Sequence, residues 1–404
     1  MSGQSGGMSG LRVLDLSVHV SGAYAARLLA TAGAQVTLVE PTAGSALRSR
    51  PPLLTSQEPT RSAAFEYLSA WKRGVALDWS TDTGWTALER LLDHSDVVIT
   101  TLPADRALDF DRRARAARPS LVHVAASSYG LTGPWAGWRS SDLTDWAASG
   151  YLYITGDPLR EPLQGAGPWA SYVAGIASAI GAMAALHARR ATGRGQLVDV
   201  GAMEVMASAH QWSLVMWSHQ GRIKHRANNR HAEAHHPVSL MAVRDGWVCI
   251  AAPTQAQWVN LCVALDLPEM ADDPRFATAG LRFDVAEEID GRFAQFLMAR
   301  TRNEVVEHLQ GFHVPASAVL SMDEVLEDPQ LQARAFWAYP EPLGVGVKMP
   351  GVPFVLPSSP ESFSAAPDIG ADTAAALDEA GLRPAEIESL SASGVIGLGQ
   401  ESDD

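Results

Sequence analysis

Residues 11–39 of the chain read LRVLDLSVHVSGAYAARLLATAGAQVTLV. The apolar run Leu11–Leu16 predicts a strand, the Ala- and Leu-rich run Ala23–Ala32 predicts a helix, and Gln35–Val39 predicts a second strand. This is a β-α-β unit, and such units bind nucleotides at the carboxyl ends of their strands. The SGAY turn, however, lacks the G-x-G-x-x-G fingerprint, which disfavours a plain dinucleotide enzyme.

The same alternation continues along the next 180 residues or so of sequence. The predicted elements are, in order, a helix at Gly84–Leu92, a strand at Asp96–Thr101, a helix at Asp105–Ala117, a strand at Leu121–Ala126, helices at Leu143–Ala148 and Tyr172–Arg190, a strand at Gln196–Val200 and a long helix near Ala202–His219. Alternation of this kind predicts an α/β fold whose parallel sheet has helices on both faces.

A change of organisation follows at the polar stretch Gly221–His236, which predicts a loop that crosses between domains. Beyond it, Val238–Val243 and Trp247–Ala251 flank an Asp-Gly turn and predict a β-hairpin. Further helices are predicted at Gln255–Ala264, Val285–Ala299 and Arg302–Leu309. We therefore predict a large α/β domain over residues 1–224, a small α+β domain over 225–322, and a return to the large domain over 323–404 that ends in a flexible tail after Leu390.

Composition argues against several kinds of partner. The 404 residues carry a formal net charge of −14, which repels nucleic-acid phosphates and anionic lipid headgroups. The two cysteines, Cys249 and Cys262, cannot form a disulfide framework or a four-cysteine zinc site. The start MSGQSGGMSG does not resemble a signal peptide, and the apolar segment Ala170–Leu186 is short enough to predict a buried helix. A globular cytoplasmic protein is expected.

Eight segments, in order along the chain, resemble the class III CoA-transferases, the CaiB/BaiF family that also contains α-methylacyl-CoA racemases. They are LRVLDLSVHVSGAYAARLLATAGAQVTLVEP from Leu11, WKRGVALDW from Trp71, SSYGLTGPWA from Ser127, ATGRGQLVDVGAMEVM from Ala191, RDGWVCIAAPTQAQW from Arg244, ADDPRFATAGLR from Ala271, VPASAVLSMDEVLEDPQLQAR from Val314 and MPGVPFVL from Met349. The resemblance implies a doubly wound, Rossmann-like large domain formed from both chain ends, an inserted small domain, and an interlocked dimer. It implies coenzyme A or acyl-CoA as a substrate and no permanently bound cofactor.

The resemblance also implies a set of CoA contacts. Three phosphate groups need cations or backbone amides, and adenine needs an apolar slot. The matching positions are the basic pair Lys72 and Arg73, the adenine-side residues His19 and Val20, the basic Arg48, and the pantetheine-path residues Thr101, Leu102 and Tyr129. The alternative interpretation of Lys72 and Arg73 is an ordinary pair of surface charges.

The most informative departure from the family pattern is Ser171. CoA-transferring members carry an aspartate that opens a helix in a pattern D-x-x-x-G, and the match here is GPWASYVAG at residues 167–175, with serine in place of aspartate. A carboxylate attacking a thioester forms an activated mixed anhydride, whereas a serine ester is less activated and the serine needs an adjacent base. Ser171 is thus predicted to be inactive in CoA transfer, and helix capping is an equally good interpretation of it.

Racemization is disfavoured for a related reason. Racemases supply proton-transfer groups on both faces of the α-carbon, at three positions that match Ser141-Asp142, Ser171 and Thr254 here. The expected acid/base groups are lost at all three positions.

Two further groups of residues invite interpretation. His225, His231, His235 and His236 with Glu233 lack a metal-ligand spacing, so no metal site is predicted. The tryptophans, among them Trp135, Trp138 and Trp169, are expected mainly in cores and interfaces, although they could line a pocket for an aromatic acyl group.

Three functions remain open from the sequence. The first is a subunit of a two-component CoA-transferase of the succinyl-CoA:benzylsuccinate type, whose homologous partner carries the aspartate and which uses acyl-CoA and a carboxylic acid. The second is a homodimeric acyl-CoA lyase, isomerase or hydrolase that uses Ser171 or Asp142. The third is a non-catalytic acyl-CoA binding protein.

Overall fold

The structure is a computed structural model that describes residues 7–54, 60–230, 235–340, 347–356 and 363–399. Up to residue 201 its elements are β1 (Arg12–Asp15), α1 (Val20–Thr31), β2 (Gln35–Glu40), a 3₁₀ turn (Ala46–Ser49), β3 (Leu53–Leu54), β4 (Arg61–Ser62), α2 (Ala63–Ser69), β5 (Lys72–Leu77), α3 (Asp82–Asp93), β6 (Val97–Thr100), α4 (Ala104–Ala117), β7 (Val122–Ser127), α5 (Asp142–Ala148), α6 (Tyr151–Ile154), α7 (Trp169–Thr192) and β8 (Leu197–Gly201).

The remaining described elements are α8 (Ala202–Ala209), α9 (Gln211–Gln220), β9 (Val238–Val243), β10 (Gly246–Ala251), α10 (Gln255–Ala264), two 3₁₀ turns (Pro268–Met270 and Pro274–Phe276), α11 (Ala279–Asp284), α12 (Ala286–Met298), α13 (Arg302–Gly311), β11 (Ala316–Ala318), α14 (Met322–Leu326), α15 (Pro329–Ala333), β12 (Trp337–Ala338), β13 (Met349–Pro350), α16 (Thr373–Glu379), α17 (Pro384–Ala392) and β14 (Ile396–Gly397).

The main sheet has seven strands in the order β14-β5-β2-β1-β6-β7-β8. All neighbours from β5 to β8 pair in parallel, and β14 pairs antiparallel with β5. The six parallel strands thus follow the Rossmann order 3-2-1-4-5-6. Central strands such as β6 are buried along their whole length, which explains their uninterrupted apolar sequences.

Helices cover both faces of this sheet, which confirms the predicted doubly wound α/β fold. One core lies between the sheet and a layer that includes α1 and α7, where Ala26, Leu29 and Ala182 are buried. The other lies between the sheet and α3, α4 and α16, where Leu88 and Leu377 are completely buried. Two cores on opposite faces are what parallel βαβ crossovers produce.

Three details of the predicted element map were wrong. The strand β5 was missed because its first residues, Lys72 and Arg73, are charged. The predicted long helix near Ala202–His219 is divided at His210 into α8 and α9. The predicted flexible tail contains the end of α17 and the strand β14, whose Ile396 pairs with Leu77 of β5 and is buried.

The chain divides into two compact units. The first holds residues 1–149, 166–209 and 329–404, so both chain ends contribute to it, and the second holds 150–165 and 210–328. The sequence predicts residues 150–165, 210–224 and 323–328 in the large domain, but they lie in the second unit. Within that unit Arg226 donates to the backbone oxygens of Tyr153 and Asp157, and the His210 ring lies against the Tyr151 ring, with centroids 3.6 Å apart and planes inclined by 44°.

The second unit is built on a three-stranded antiparallel sheet in the order β11-β10-β9. The predicted hairpin is present, with Val243 paired to Gly246 at the turn. Helices α10, α12 and α13 pack on this sheet around the fully buried rings of Trp258, Phe276 and Phe293. This unit has the α+β character that the sequence predicts.

Helix α7 is long and apolar enough to span a membrane by length and composition, although such a match is weak evidence. One face of it packs inside the first unit, where a Cβ on Gly175 would come within 2.7 Å of the Ser21 carbonyl oxygen of α1. This close approach makes the glycine necessary. On the opposite face the side chains of Ile176, Ile180 and Met183 are exposed.

Candidate active site at the carboxyl edge of the sheet

The loop that follows β1 is held firmly against the end of β6. The Val18 amide donates to Thr101 Oγ1 at 2.9 Å. Gly22 allows the close approach, because a Cβ there would lie 2.9 Å from the Thr101 methyl group. His19 lies at the surface, where desolvation and then the charge of Arg50 lower its pKa. Its imidazole is therefore neutral at pH 7.

Five predicted contact residues lie at this edge. His19 and Val20 follow β1, Thr101 and Leu102 follow β6, and Tyr129 follows β7; these are adjacent strands of the sheet. Val20 and Thr101 are buried, while Leu102 and Tyr129 are half-buried. The structure therefore brings these positions together at the place where open α/β sheets bind ligands.

Lys72 is placed differently from its predicted role. Its Nζ lies 2.7 Å from Asp15 Oδ2 and donates to the Ala23 carbonyl oxygen at 2.9 Å, and both charged side chains are completely buried. Burial lowers the pKa of Lys72, while the Asp15 carboxylate raises it in opposition. The structure thus does not support a contact between Lys72 and a CoA phosphate, since the ammonium group is sealed inside the fold.

Arg73 is also directed away from this edge. It pairs with Thr37 near the start of β2, so it belongs to the amino-terminal half of the sheet. Its guanidinium group lies 2.7 Å from Glu379 and 3.8 Å from Asp372. Both carboxylates belong to the C-terminal part of the chain, so Arg73 helps to dock that part on the sheet.

Arg48 reaches the carboxyl edge but is already engaged. It forms a two-point ion pair with the buried Glu40, at 2.6 and 2.9 Å, and donates to the Pro367 carbonyl oxygen. Its guanidinium group also lies 4.1 Å from the ring centroid of Phe65. Arg50, which sequence comparison did not single out, is exposed and close enough for its charge to act on His19 and Tyr172. Arg50 is therefore the better cation for an anionic ligand.

Ser171 lies in the first turn of α7 and faces Asp142, the first residue of α5. Asp142 Oδ1 accepts from the Ser171 amide at 3.0 Å and from Ser171 Oγ at 3.2 Å. The residue before the helix, Pro168, provides no capping side chain, so Asp142 caps α7 from another element. The other oxygen of Asp142 is buried and has no hydrogen-bond partner in the structure.

A second carboxylate lies one turn further along α5. Asp145 is buried, and its Oδ2 accepts from Ser128 Oγ at 3.0 Å. Burial, assisted by the nearby charge of Asp142, raises the pKa of Asp145 to about 6, although the Ser128 hydrogen bond opposes this shift. A carboxyl group that titrates so close to neutrality can take or give a proton at physiological pH.

A cavity of about 280 Å³ lies beyond β5 and β6 on the same edge. Its walls include the rings of Trp79, Trp85 and Phe110, and it also contacts the predicted path residue Leu102. Arg113 lies 3.8 Å above the ring of Trp85, and Arg106, Asp105 and Asp109 also line the cavity. The aromatic walls suit a planar ring, and the charges of the two arginines are balanced by those of the two aspartates. Only the clustering of tryptophan and arginine in residues 79–113 could have indicated this cavity from sequence.

The remaining candidates have structural roles. Thr254 caps α10 through a reciprocal bond with Gln257, so no acid group stands at this racemase position. His236 is buried 3.1 Å from Asp290, and His225 contacts Tyr153. His231 and Glu233 lie outside the described residues. Within the described ranges no cluster of three or more His, Cys, Asp or Glu side chains could hold a metal ion.

Comparison with known proteins gives a consistent result. Residues 8–373 match the family described as CoA-transferase family III. The chain is 30% identical to succinate–glutarate CoA-transferase of Agrobacterium fabrum, with 92% of this chain and 95% of that protein covered. It is 28% identical to the succinyl-CoA:(R)-benzylsuccinate CoA-transferase subunit BbsE of Thauera aromatica, with 96% and 98% covered. The crystal structure of a CaiB/BaiF family protein from Brucella suis superposes with a TM-score of 0.81 at 26% identity, over 93% of this chain and 100% of that one.

Proposed function

The chain belongs to CoA-transferase family III, and we propose that it is the aspartate-lacking subunit of a two-component CoA-transferase. In this proposal the chain binds acyl-CoA and supports the transfer of CoA between carboxylic acids in the cytoplasm. A homologous partner subunit supplies the catalytic aspartate. The observation that carries the proposal is Ser171, whose side chain offers no carboxylate at the first turn of α7.

The chemistry of the transfer explains why this position matters. The nucleophilic carboxylate must attack the thioester carbon and release CoA as its thiolate. The mixed anhydride that forms stays reactive enough for this thiolate to attack it, so that the donor acid leaves and CoA can pass to the acceptor acid. Ser171 Oγ would form an ester instead, and returning an ester to a thioester runs uphill. One oxygen of Asp142 accepts the hydrogen bonds that cap α7, and its other oxygen is buried.

The carboxyl edge supplies surfaces that suit CoA. The aromatic walls of the cavity match the chemistry of an adenine ring, and its arginines are balanced in charge by Asp105 and Asp109. Arg50 offers a further cation for the pyrophosphate. Leu102 and Tyr129 are half-buried, as expected of residues beside the pantetheine chain.

The exposed apolar face of helix α7 supports the proposal that this chain has a partner subunit. Its residues Ile176, Ile180 and Met183 are 43%, 56% and 42% exposed, at a spacing that places them on one face. A face of large apolar side chains on a long helix suits burial against a second protein chain. We propose that a homologous subunit covers it, in the interlocked arrangement that the family resemblance implies.

The similar protein BbsE is named as a subunit of a succinyl-CoA:(R)-benzylsuccinate CoA-transferase. An aromatic dicarboxylic acid of the benzylsuccinate type is therefore the proposed acceptor.

The proposal is tested with the purified chain, succinyl-CoA and benzylsuccinate. We expect CoA binding by calorimetry but no formation of benzylsuccinyl-CoA by the wild-type chain or by Ser171→Ala. The double variant Ser171→Asp/Asp142→Asn should gain measurable transfer, because it installs the carboxylate and removes the adjacent like charge. Ser171→Asp alone should gain less, since two carboxylates would then share one site.

Co-expression gives the complementary measurement. The wild-type chain should form active transferase with a homologue that has aspartate at the matching position. Full turnover by the pure wild-type chain would refute the two-component proposal, and a chain that binds CoA but stays inactive with every partner and variant would be a non-catalytic acyl-CoA binding protein.

The hydrogen bond from Ser171 Oγ to Asp142 favours a second candidate, an acyl-CoA hydrolase. Asp142 would accept the serine proton as Oγ bonds to the acyl carbon and the C–S bond breaks, and would return that proton to the CoA thiolate. Water would then cleave the acyl-serine ester. This hypothesis predicts that the pure wild-type chain hydrolyses thioesters and that Ser171→Ala does not.

A further inference from the structure

Three aromatic side chains form a cluster on the loop between β7 and α5. Trp135 and Trp138 are stacked with ring centroids 4.9 Å apart and planes within 20°. Tyr129 meets both rings edge-on, at 5.8 Å and 6.4 Å. Trp138 is nevertheless 60% exposed. We call Tyr129, Trp135 and Trp138 the aromatic platform.

The loop that carries the platform is anchored internally. The Leu131 amide donates to both oxygens of Asp199, at 3.0 and 3.2 Å, and the Leu131 side chain is buried. The Gly130 amide donates to Ser127 Oγ, and Trp138 donates its amide to the Trp135 carbonyl oxygen at 2.8 Å. The rings are thus held in place before any ligand arrives, which reduces the entropy cost of binding.

Both ends of this loop are fixed at the candidate active site. At its start, Ser128 Oγ donates to Asp145, and Tyr129 is one of the predicted pantetheine contacts. At its end, Asp142 accepts two hydrogen bonds from Ser171. The platform therefore belongs to the segment that joins the pantetheine side of the site to its reaction centre.

We infer that the aromatic platform binds the aromatic ring of the acyl group, so that the chain selects aryl-substituted acyl-CoA thioesters over aliphatic ones. The inference rests on the proposed CoA-binding function and adds the residues that recognise the aromatic ring of the acyl group. An exposed indole face stacks on a planar ring with a gain that small aliphatic acyl groups cannot match. The ring edge of Tyr129 limits the platform on one side.

The test compares dissociation constants of CoA, acetyl-CoA and benzoyl-CoA by calorimetry on the full chain. We expect benzoyl-CoA to bind about 2- to 10-fold more tightly than acetyl-CoA. Trp138→Ala should abolish this preference while leaving the constants for CoA and acetyl-CoA within about twofold. Trp138→Leu keeps an apolar side chain but loses the stacking face, so it should behave like the alanine variant. Trp247→Ala, which removes a similarly exposed tryptophan from β10, should keep the preference.

Each other result overturns the inference in a recognisable way. CoA binding without an aromatic preference, or a preference that survives in Trp138→Ala, removes the platform proposal and leaves the CoA-transferase proposal intact. Failure to bind CoA at all removes both. A change of oligomeric state in Trp138→Ala, measured by light scattering, assigns the exposed ring to a subunit interface instead.

Discussion

Two polar pairs in the first unit each contain a residue that the sequence singles out, and they differ in their access to solvent. Lys72 and Asp15 form an ion pair of 2.7 Å in which both side chains are fully buried. Ser171 and Asp142 form hydrogen bonds of 3.0 and 3.2 Å at the half-exposed carboxyl edge. The first pair is closed to any ligand, whereas the second lies where open α/β sheets place their chemistry.

Access to the carboxyl edge, and not the residue type, therefore separates the candidate site from a structural ion pair. Lys72 has a carboxylate and a carbonyl oxygen as partners, and Asp15 also accepts from the Ser17 amide. Asp142 and Asp145 each retain a buried oxygen without a hydrogen bond in the structure. Such oxygens are costly in a purely structural role.

The largest effect is expected from opening the closed pair. Lys72→Met leaves the Asp15 carboxylate buried without its cation and should lower the free energy of unfolding by about 3–5 kcal/mol. The double variant Lys72→Met/Asp15→Asn should recover a large part of that loss. Urea denaturation followed by circular dichroism measures both. A Lys72→Met variant of wild-type stability with weakened CoA binding would restore the phosphate role that the sequence suggested.

A smaller effect is expected from the edge carboxylate Asp145. Because its folded pKa of about 6 exceeds its ordinary value of 3.8, the folded state holds the proton more tightly than the unfolded state. This contribution favours folding at low pH and is lost as the pH rises from about 4 to about 6. The free energy of unfolding of Asp145→Asn should therefore exceed that of the wild type by on the order of 2 kcal/mol at pH 7.5 and by almost nothing at pH 4.

Denaturation of Asp145→Asn and wild type at the two pH values measures that difference. The exposed Asp378→Asn serves as the matched control and should show no such pH dependence. A stability difference that is equal at both pH values would show that Asp145 does not titrate between them.

The smallest effect separates two arginines. Arg50→Ala should weaken CoA binding about tenfold, which corresponds to one lost charge-assisted contact. Arg73→Ala should leave CoA affinity unchanged, because its guanidinium group serves Glu379 and Asp372. Calorimetric titration with CoA gives the dissociation constants of both variants. A loss of affinity in Arg73→Ala but not in Arg50→Ala would show that Arg73, and not Arg50, contacts CoA.

Much of the fold was predictable because parallel strands are buried on both faces and hence read as apolar runs. Helix α10 has the bounds Gln255–Ala264 that the sequence predicts, and the hairpin turn follows its Asp-Gly pair. β5 and β14 were not predictable in this way. β5 begins with two charges that only a folded partner can neutralise, and β14 is a two-residue strand whose pairing with β5 spans most of the chain.

Some features of the candidate site could likewise be predicted from the sequence, and others depend on tertiary contacts. The family of the chain and the residues after β1, β6 and β7 follow from the sequence itself, because local patterns fix which residue ends a strand. The capping interpretation of Ser171 was wrong, since α7 begins at Trp169 and the Ser171 side chain donates to Asp142. The burial of Lys72, the engagement of Arg48 with Glu40, the exposure of Arg50 and the approach of Asp142 to Ser171 follow from tertiary contacts alone. These depend on which distant groups the fold brings within hydrogen-bonding distance, and desolvation and charge pairing act through space and not along the chain.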